Sequence, residues 1–261
     1  MTADYLRPVP APEAAPAPAP RPADDLLVVL PALNEQDSVA RVVHEVRRAQ
    51  PGATVLVVDD GSTDATADRA ARAGALVMRL PFNLGVGGAM RAAYRYARDR
   101  GFSYVVQVDA DGQHDASEIA GLLEVCRSGA ADVVVGSRFA GRGDYAVRGP
   151  RRWAMRLLSV TLSGIVGTAV KDPTSGFRLV DRRAVALFAE HYPEEYLGDT
   201  VEALVIAHRA GLSITQVPVV MRPRETGTAS TNPVRSAVYL LRVVVAVGLA
   251  LIRRTPRDQD L

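Results

Sequence analysis

The sequence predicts an α/β domain with a Rossmann-like, mainly parallel central sheet and helices on both faces. Three observations carry this. Short valine- and leucine-rich runs alternate with segments of helical periodicity, joined by short links, through residues 26–135. The apolar runs are continuous rather than alternating, which suits strands buried on both faces. Polar clusters follow strand after strand, at 31–35, 59–64, 83–88 and 109–111.

Taken in order, residues 1–24 are rich in proline and alanine, with almost no large apolar side chain after Leu6. They cannot bury a face and read as a disordered tail. Residues 26–30 are the first strand, running into Pro31, Ala32, Leu33, Asn34 and Glu35. Val39, Val42, Val43 and Val46 then recur at helical spacing until Pro51 and Gly52 stop the helix. A second strand over 54–58 ends in Asp59, Asp60 and Gly61, and its helix stops at Gly74. A third strand, about 76–80, leads to Asn83, Gly85, Gly87 and Gly88, and the helix they open ends at Gly101.

The fourth strand, 105–108, meets Asp109, Ala110, Asp111 and the turn residue Gly112. Asp115 and Glu118 are spaced as a capping pair for a helix reaching Arg127. A fifth strand covers 132–135. Beyond it the pattern predicts a strand around Leu179, helices near 182–190 and 199–210, and a strand near 213–219. A last apolar, amphipathic helix is expected over 234–252 within a C-terminal segment 234–261. Everything from 25 to 233 is read as one domain, its halves meeting near residue 138.

Composition narrows the function classes. The chain has 261 residues, enough for one large α/β domain with a real core. A net charge of +2 gives no global case for nucleic-acid binding, and 5% aromatics argues against base-stacking surfaces. The one cysteine, Cys126, excludes an internal disulfide and a cysteine-rich zinc site, and its apolar helical setting reads as a buried small hydrophobe. A reducing, cytoplasmic setting is expected, since the first residues carry no apolar signal-peptide core.

Asp109 and Asp111 are the centre of the chemical argument. In open α/β sheets ligands bind beyond the carboxyl ends of the strands. Two carboxylates there repel each other unless a cation sits between them. Mg²⁺ and Mn²⁺ are hard, oxygen-seeking ions that suit such a pair and are commonly shared with substrate phosphates. An aspartate after a strand is also ordinary turn chemistry; the recurrence of polar clusters at several strand ends favours a site. No Gly-x-x-x-x-Gly-Lys-[Ser/Thr] is present, which excludes a P-loop. The run 85–90 approximates a dinucleotide fingerprint, but Met90 holds the third glycine position and the run follows the third strand, so nicotinamide binding is rejected. The glycines either let a helix start approach a substrate or form a plain tight turn.

These motifs together resemble family 2 glycosyltransferases of the GT-A fold, in the branch of dolichyl- and polyprenyl-phosphate sugar transferases. The matching stretches are Leu-Pro-Ala-Leu-Asn-Glu at 30–35, Val-Val-Asp-Asp-Gly-Ser-Thr-Asp at 57–64 and Asn-Leu-Gly-Val-Gly at 83–87. Gln-Val-Asp-Ala-Asp-Gly-Gln-His at 107–114, Gly-Ser-Arg at 136–138 and Asp-Pro-Thr-Ser-Gly-Phe-Arg at 172–178 follow in order. The resemblance implies a nucleotide-sugar donor and an inverting transfer, with 25–138 as the nucleotide-sugar half and 139–233 as the acceptor half. It implies donor contacts from Pro31, Ala32, Glu35, Asp59, Asp60, Gly87 and Asp109. It makes Asp111 the main ligand of Mg²⁺ or Mn²⁺, with Gln113 close to the ion.

Arg178 and Arg224 are expected at phosphate, since a guanidinium grips phosphate through two donors. The acceptor decides whether a base is needed. A hydroxyl needs one, for which Asp172 is the first candidate and Asp199 and Glu202 are rivals. A lipid phosphate is already ionised. Arg148, Arg151, Arg152 and Arg156 gather around Trp153 and precede an uncharged run, 157–170. This predicts contact with anionic headgroups and a peripheral enzyme on the cytoplasmic face of a membrane; the other reading is a core helix with a solvated basic flank. The expected acceptor is therefore polyprenyl phosphate. A soluble or glycan hydroxyl, and a noncatalytic binding module, are the alternatives. Association of copies through the C-terminal helix is left open.

Overall fold

Strands β1 (Leu26–Ala32), β2 (Thr54–Asp59), β3 (Leu76–Arg79), β4 (Tyr104–Gln107), β5 (Val133–Ser137), β6 (Arg178–Val180) and β7 (Ile214–Pro218) form one sheet. Their order across it is β3-β2-β1-β4-β6-β5-β7. The computed structural model describes residues 25–137, 159–168, 170–193 and 199–222. The expected N-terminal tail and C-terminal helix lie outside those residues.

Burial of β1, β2, β4 and β5 on both faces explains their unbroken apolar runs. Alternate side chains feed two cores. On one face Leu27, Val29, Val58, Val105 and Val135 meet α3 (Gly85–Arg100), α6 (Arg182–His191) and α7 (Asp199–Arg209). On the other Val28, Leu30, Val57, Val106 and Val134 meet α1 (Val39–Ala49), α2 (Thr66–Arg72) and α4 (Ile119–Arg127). The valines expected on one face of α1 are the buried ones.

Helix α3 buries Gly87, Gly88, Ala89, Ala93 and Ala97, small residues that let it lie close to the sheet. Tyr94 fills the space between α3 and α6, 5.3 Å from Phe188 and 5.1 Å from Tyr192 between ring centres. Arg91 and Arg95 of α3 donate to the Glu190 and Ala189 carbonyls at the end of α6. Cys126 is buried and free, and burial, followed by the nearby Asp181 and Asp132 charges, pushes its thiol up to about 12.

Two details depart from expectation. β6 runs antiparallel between β4 and β5, pairing Arg178 with Gln107 and with Val135. This reversal brings the start of β6 to the edge where the parallel strands end. Asp115 caps a 3₁₀ turn (Ala116–Glu118) by accepting from Ser117, but the Glu118 carboxylate accepts from the Val220 N–H instead of completing a capping pair.

Residues 159–166 form a helix, α5, inside the uncharged run. Leu162, Val166 and Val170 are buried in the core, whereas Val160 is 64% exposed. Leu162, Val166 and Val170 join the core cluster that also holds residues of α6 and α7. Among the described residues no helix is long and apolar enough to cross a membrane.

Candidate active site

The carboxyl ends of β1, β2 and β4 lie side by side, with Ala32 opposite Asp59 and Val108 donating to the Val29 carbonyl. The polar clusters after these strands therefore share one edge of the sheet. The loops after β1 and β2 are fastened together. Asn34, in the left-handed region at φ 54°, accepts from the Thr63 N–H and donates its own N–H to Ser62 Oγ. The Glu35 N–H reaches Thr66 Oγ1 at 2.8 Å, and the Glu35 carboxylate accepts from Ser38 Oγ at 2.8 Å. Burial tends to raise the Asp64 carboxyl, but donations from Thr66 and Gln36 outweigh it and hold it below the usual range.

Asp59 and Asp60 are both buried. Asp59 accepts from the Ser62 N–H. Asp60 accepts from the Leu84 and Gly85 N–H groups at 2.7 and 2.9 Å, so its carboxylate is turned into the start of α3. Burial raises its pKa, the two N–H donors work against that, and the Asp59 charge adds to the rise. Gly61, at φ +80°, lies against the Phe82 and Asn83 backbone, where a Cβ would come within 2.9 Å. Gly87 sits buried in the first turn of α3.

Past β4 the chain turns through Asp109, Ala110, Asp111 and Gly112. Asp111 accepts from the Gln113 N–H at 3.0 Å, and Gly112 is in the left-handed region at φ +82°. The Asp109 side chain is 38% exposed. Its backbone N–H donates to His114 Nδ1 at 2.9 Å and its Oδ1 accepts from Gln107 Nε2 at 3.2 Å. The segment after β7 crosses this loop. Met221 bridges to His114, the Arg222 N–H donates to the Gln113 carbonyl, and the Arg222 guanidinium joins Glu45 at 2.7 Å and Asp115 at 3.0 Å. Burial alone would lower the Arg222 pKa; those carboxylates reverse the direction.

Residues 172–177 enter the same edge. Gly176 lies so close to Asp109 that a Cβ there would be 2.9 Å from Gln107 Nε2 and 3.3 Å from Asp109 Oδ1. Asp172 has no exposed surface and accepts from Thr174 Oγ1 at 3.4 Å. Glu202 is buried near the start of α7. Arg178 also has no exposed surface, and its guanidinium donates to the Ser175 and Thr200 carbonyls. Arg178, expected at phosphate, has its terminal nitrogens on these carbonyls, where they tie β6 to α7. Arg148, Arg151, Arg152, Arg224 and the Asp199 side chain lie outside the described residues.

The donor set can be tested against a divalent cation. Among the described residues no three His, Cys, Asp or Glu side chains gather to hold a metal. Asp109 and Asp111 offer oxygen donors on one loop at an open edge. That is wrong for a closed structural centre and right for Mg²⁺ or Mn²⁺ completed by substrate phosphate and water.

The sequence signature described as Glycosyl transferase family 2 matches residues 27–188. The chain belongs to glycosyltransferase family 2. The polyprenol monophosphomannose synthase of Mycolicibacterium smegmatis is 30% identical over 84% of this chain and 86% of its own length. The undecaprenyl-phosphate mannosyltransferase of Micrococcus luteus is 32% identical over 79% of this chain and 87% of its own. Among solved structures, glucosyl-3-phosphoglycerate synthase of Mycobacterium tuberculosis, with Mn²⁺, UDP-glucose and phosphoglyceric acid, superposes with a TM-score of 0.68. It is 22% identical and covers 89% of this chain and 82% of that one, a likeness of fold, and the fold is the GT-A fold.

Sequence reasoning on this glycosyltransferase passed over Gln107, His114, Gly176 and Arg222 as individual actors. A glutamine inside a valine strand was the available signal for the first. The other three are recognisable only once β6 and the segment after β7 are folded against the Asp109 loop.

Proposed function

We propose that this glycosyltransferase moves a hexose from a nucleoside-diphosphate sugar to a polyprenyl phosphate, with inversion at the anomeric carbon. The observation that carries the reading is the set of two relatives named for polyprenol-phosphate and undecaprenyl-phosphate mannosyl transfer, each matched over most of its length. The site supports it. Asp111, with Gln113 and Asp109 beside it, would hold Mg²⁺ or Mn²⁺, which when bound stabilises the charge developing on the departing diphosphate. The clamped loops after β1 and β2, with Pro31, Ala32, Glu35 and Asp59, form the donor side. Asp60 serves that side by fixing the start of α3, where Gly87 lies.

Burial of Asp172 and Glu202 favours an acceptor that brings its own negative oxygen. A phosphate is ionised at neutral pH and needs no carboxylate to remove a proton. A hydroxyl acceptor would require Asp172 to be uncovered. The basic cluster around Trp153 suits an anionic lipid surface, and placement on the inner face of a membrane belongs to the same proposal. The test is incubation of labelled GDP-mannose, UDP-glucose or UDP-N-acetylglucosamine with polyprenyl phosphate and Mn²⁺. Label extracted into organic solvent, abolished by a chelator, is the expected result. Transfer to water or to soluble glycans alone would overturn the lipid acceptor.

A further inference from the structure

His114 sits beside the carboxylate pair and is buried. Its side chain is 1% exposed, and its ring stacks on Phe177 at 4.9 Å with 17° between planes. Nδ1 accepts from the Asp109 N–H at 2.9 Å. A neutral imidazole nitrogen that accepts carries no proton, so the ring proton lies on Nε2. Nε2 faces Asp109 Oδ2 at 3.5 Å. One ring nitrogen is thus hydrogen-bonded to the Asp109 backbone and the other lies 3.5 Å from its carboxylate.

The other carboxylate oxygen is held from the strand side. Gln107, buried in β4, donates from Nε2 to Asp109 Oδ1 at 3.2 Å. The opposite amide orientation would set Oε1 against a carboxylate. In the observed orientation Oε1 is buried with no hydrogen-bond partner among the described residues. Leaving a buried acceptor unsatisfied is costly, and a valine or leucine would suit this strand without that cost. Among the described residues the glutamine makes physical sense through its bond to Asp109.

We infer that His114 and Gln107 are positioning residues that fix the Asp109 carboxylate, one on each oxygen, in the orientation used to receive the donor. The inference rests on the proposed function in taking Asp109 to face the nucleotide sugar. A carboxylate at an open edge otherwise samples several rotamers, and fixing it beforehand removes that ordering from the binding step. Groups that orient the carboxylates of a metal site typically change affinity by about 10–100-fold when removed.

The test uses full-length protein and titrates UDP and GDP, each with Mn²⁺, by calorimetry, with thermal melts of each variant alone. H114F keeps a stacking ring and removes both polar contacts. H114Q returns an amide N–H near the place of Nε2. Q107L removes the contact to Oδ1. The expected result is a loss of about 10–100-fold in nucleotide affinity for H114F and Q107L, with H114Q recovering most of it. In turnover the loss falls on kcat/KM for the donor, with KM for the acceptor unchanged. H114F binding like the wild type, or H114Q as weak as H114F, would overturn the role of His114 and leave it a packing residue. If H114F does not fold, H114Q against wild type and Q107L carry the same decision. A wild type that binds neither nucleotide overturns the proposed function itself, and this role with it.

Discussion

The Asp60 carboxylate holds the Gly85 N–H at 2.9 Å, joining the end of β2 to the first residue of α3. A second bond, from Leu84, makes Asp60 the fastening of the whole glycine loop. D60A removes the acceptor of the Leu84 N–H and leaves the Gly85 N–H only its bond to Asn83 Oδ1, a loss of about 2 kcal/mol. For a domain of this size that lowers Tm by about 4–8 °C. Calorimetric melts check it, and donor affinity should fall with it, because the loop carries Gly87.

Arg178 supplies a second prediction. Its buried guanidinium spans the Ser175 and Thr200 carbonyls, so R178M leaves these acceptors unanswered. The expected loss is about 3 kcal/mol. The structural role predicts a lower melting midpoint with nucleotide affinity per folded molecule near wild type. An unchanged midpoint with weakened nucleotide binding would instead place Arg178 at the phosphate.

Gly176 tests the close approach at Asp109. In G176A the new methyl must displace Gln107 or Asp109, since its nearest neighbours stand at 2.9 and 3.3 Å. Its φ is ordinary, so the backbone accepts alanine. Nucleotide affinity with Mn²⁺ should fall by about tenfold or more while the melting curve stays nearly unchanged, as calorimetry and melts together would show.

At the opposite edge of the sheet Asp181 and Asp132 predict a pH dependence of stability. Burial raises the Asp181 pKa; its bond from Ala184 opposes this, and the Asp132 charge adds to the rise. Burial also acts to raise Asp132, but donation from the Ser213 hydroxyl and N–H and the Arg183 charge hold it low. A raised folded pKa gives Asp181 a contribution present in full below the usual carboxylate value and lost as pH rises through the folded value. The depressed Asp132 contributes above its unfolded value and loses that contribution as pH falls. D181N keeps a capping acceptor for α6 and removes the charge. It should match or exceed wild-type stability at pH 8 and lose that advantage near pH 4. Denaturant unfolding at the two pH values decides it.

Much of the fold was open to sequence reading because it is local. Continuous valine runs, helical spacing and glycine stops depend only on neighbouring residues, and they placed β1 to β5 and the helices between them. The strand–loop pattern also set Asp59, Asp60, Asp109 and Asp111 on one edge, since parallel strands with right-handed crossovers leave their carboxyl ends on the same side. The six motifs in order carried the family.

Which way a side chain points in a loop depends on contacts from distant segments, and here the folded structure decided. Asp60 faces inward because α3 offers it two N–H donors. Arg178 is buried because β6 runs backwards between β4 and β5 and carries it beneath α7. His114 and Gln107 hold Asp109 because Phe177, Gly176 and the segment after β7 close around them. A sequence fixes which chemical groups the chain carries; burial and hydrogen-bond partners contributed from far along the chain decide which of those groups remain available to a substrate.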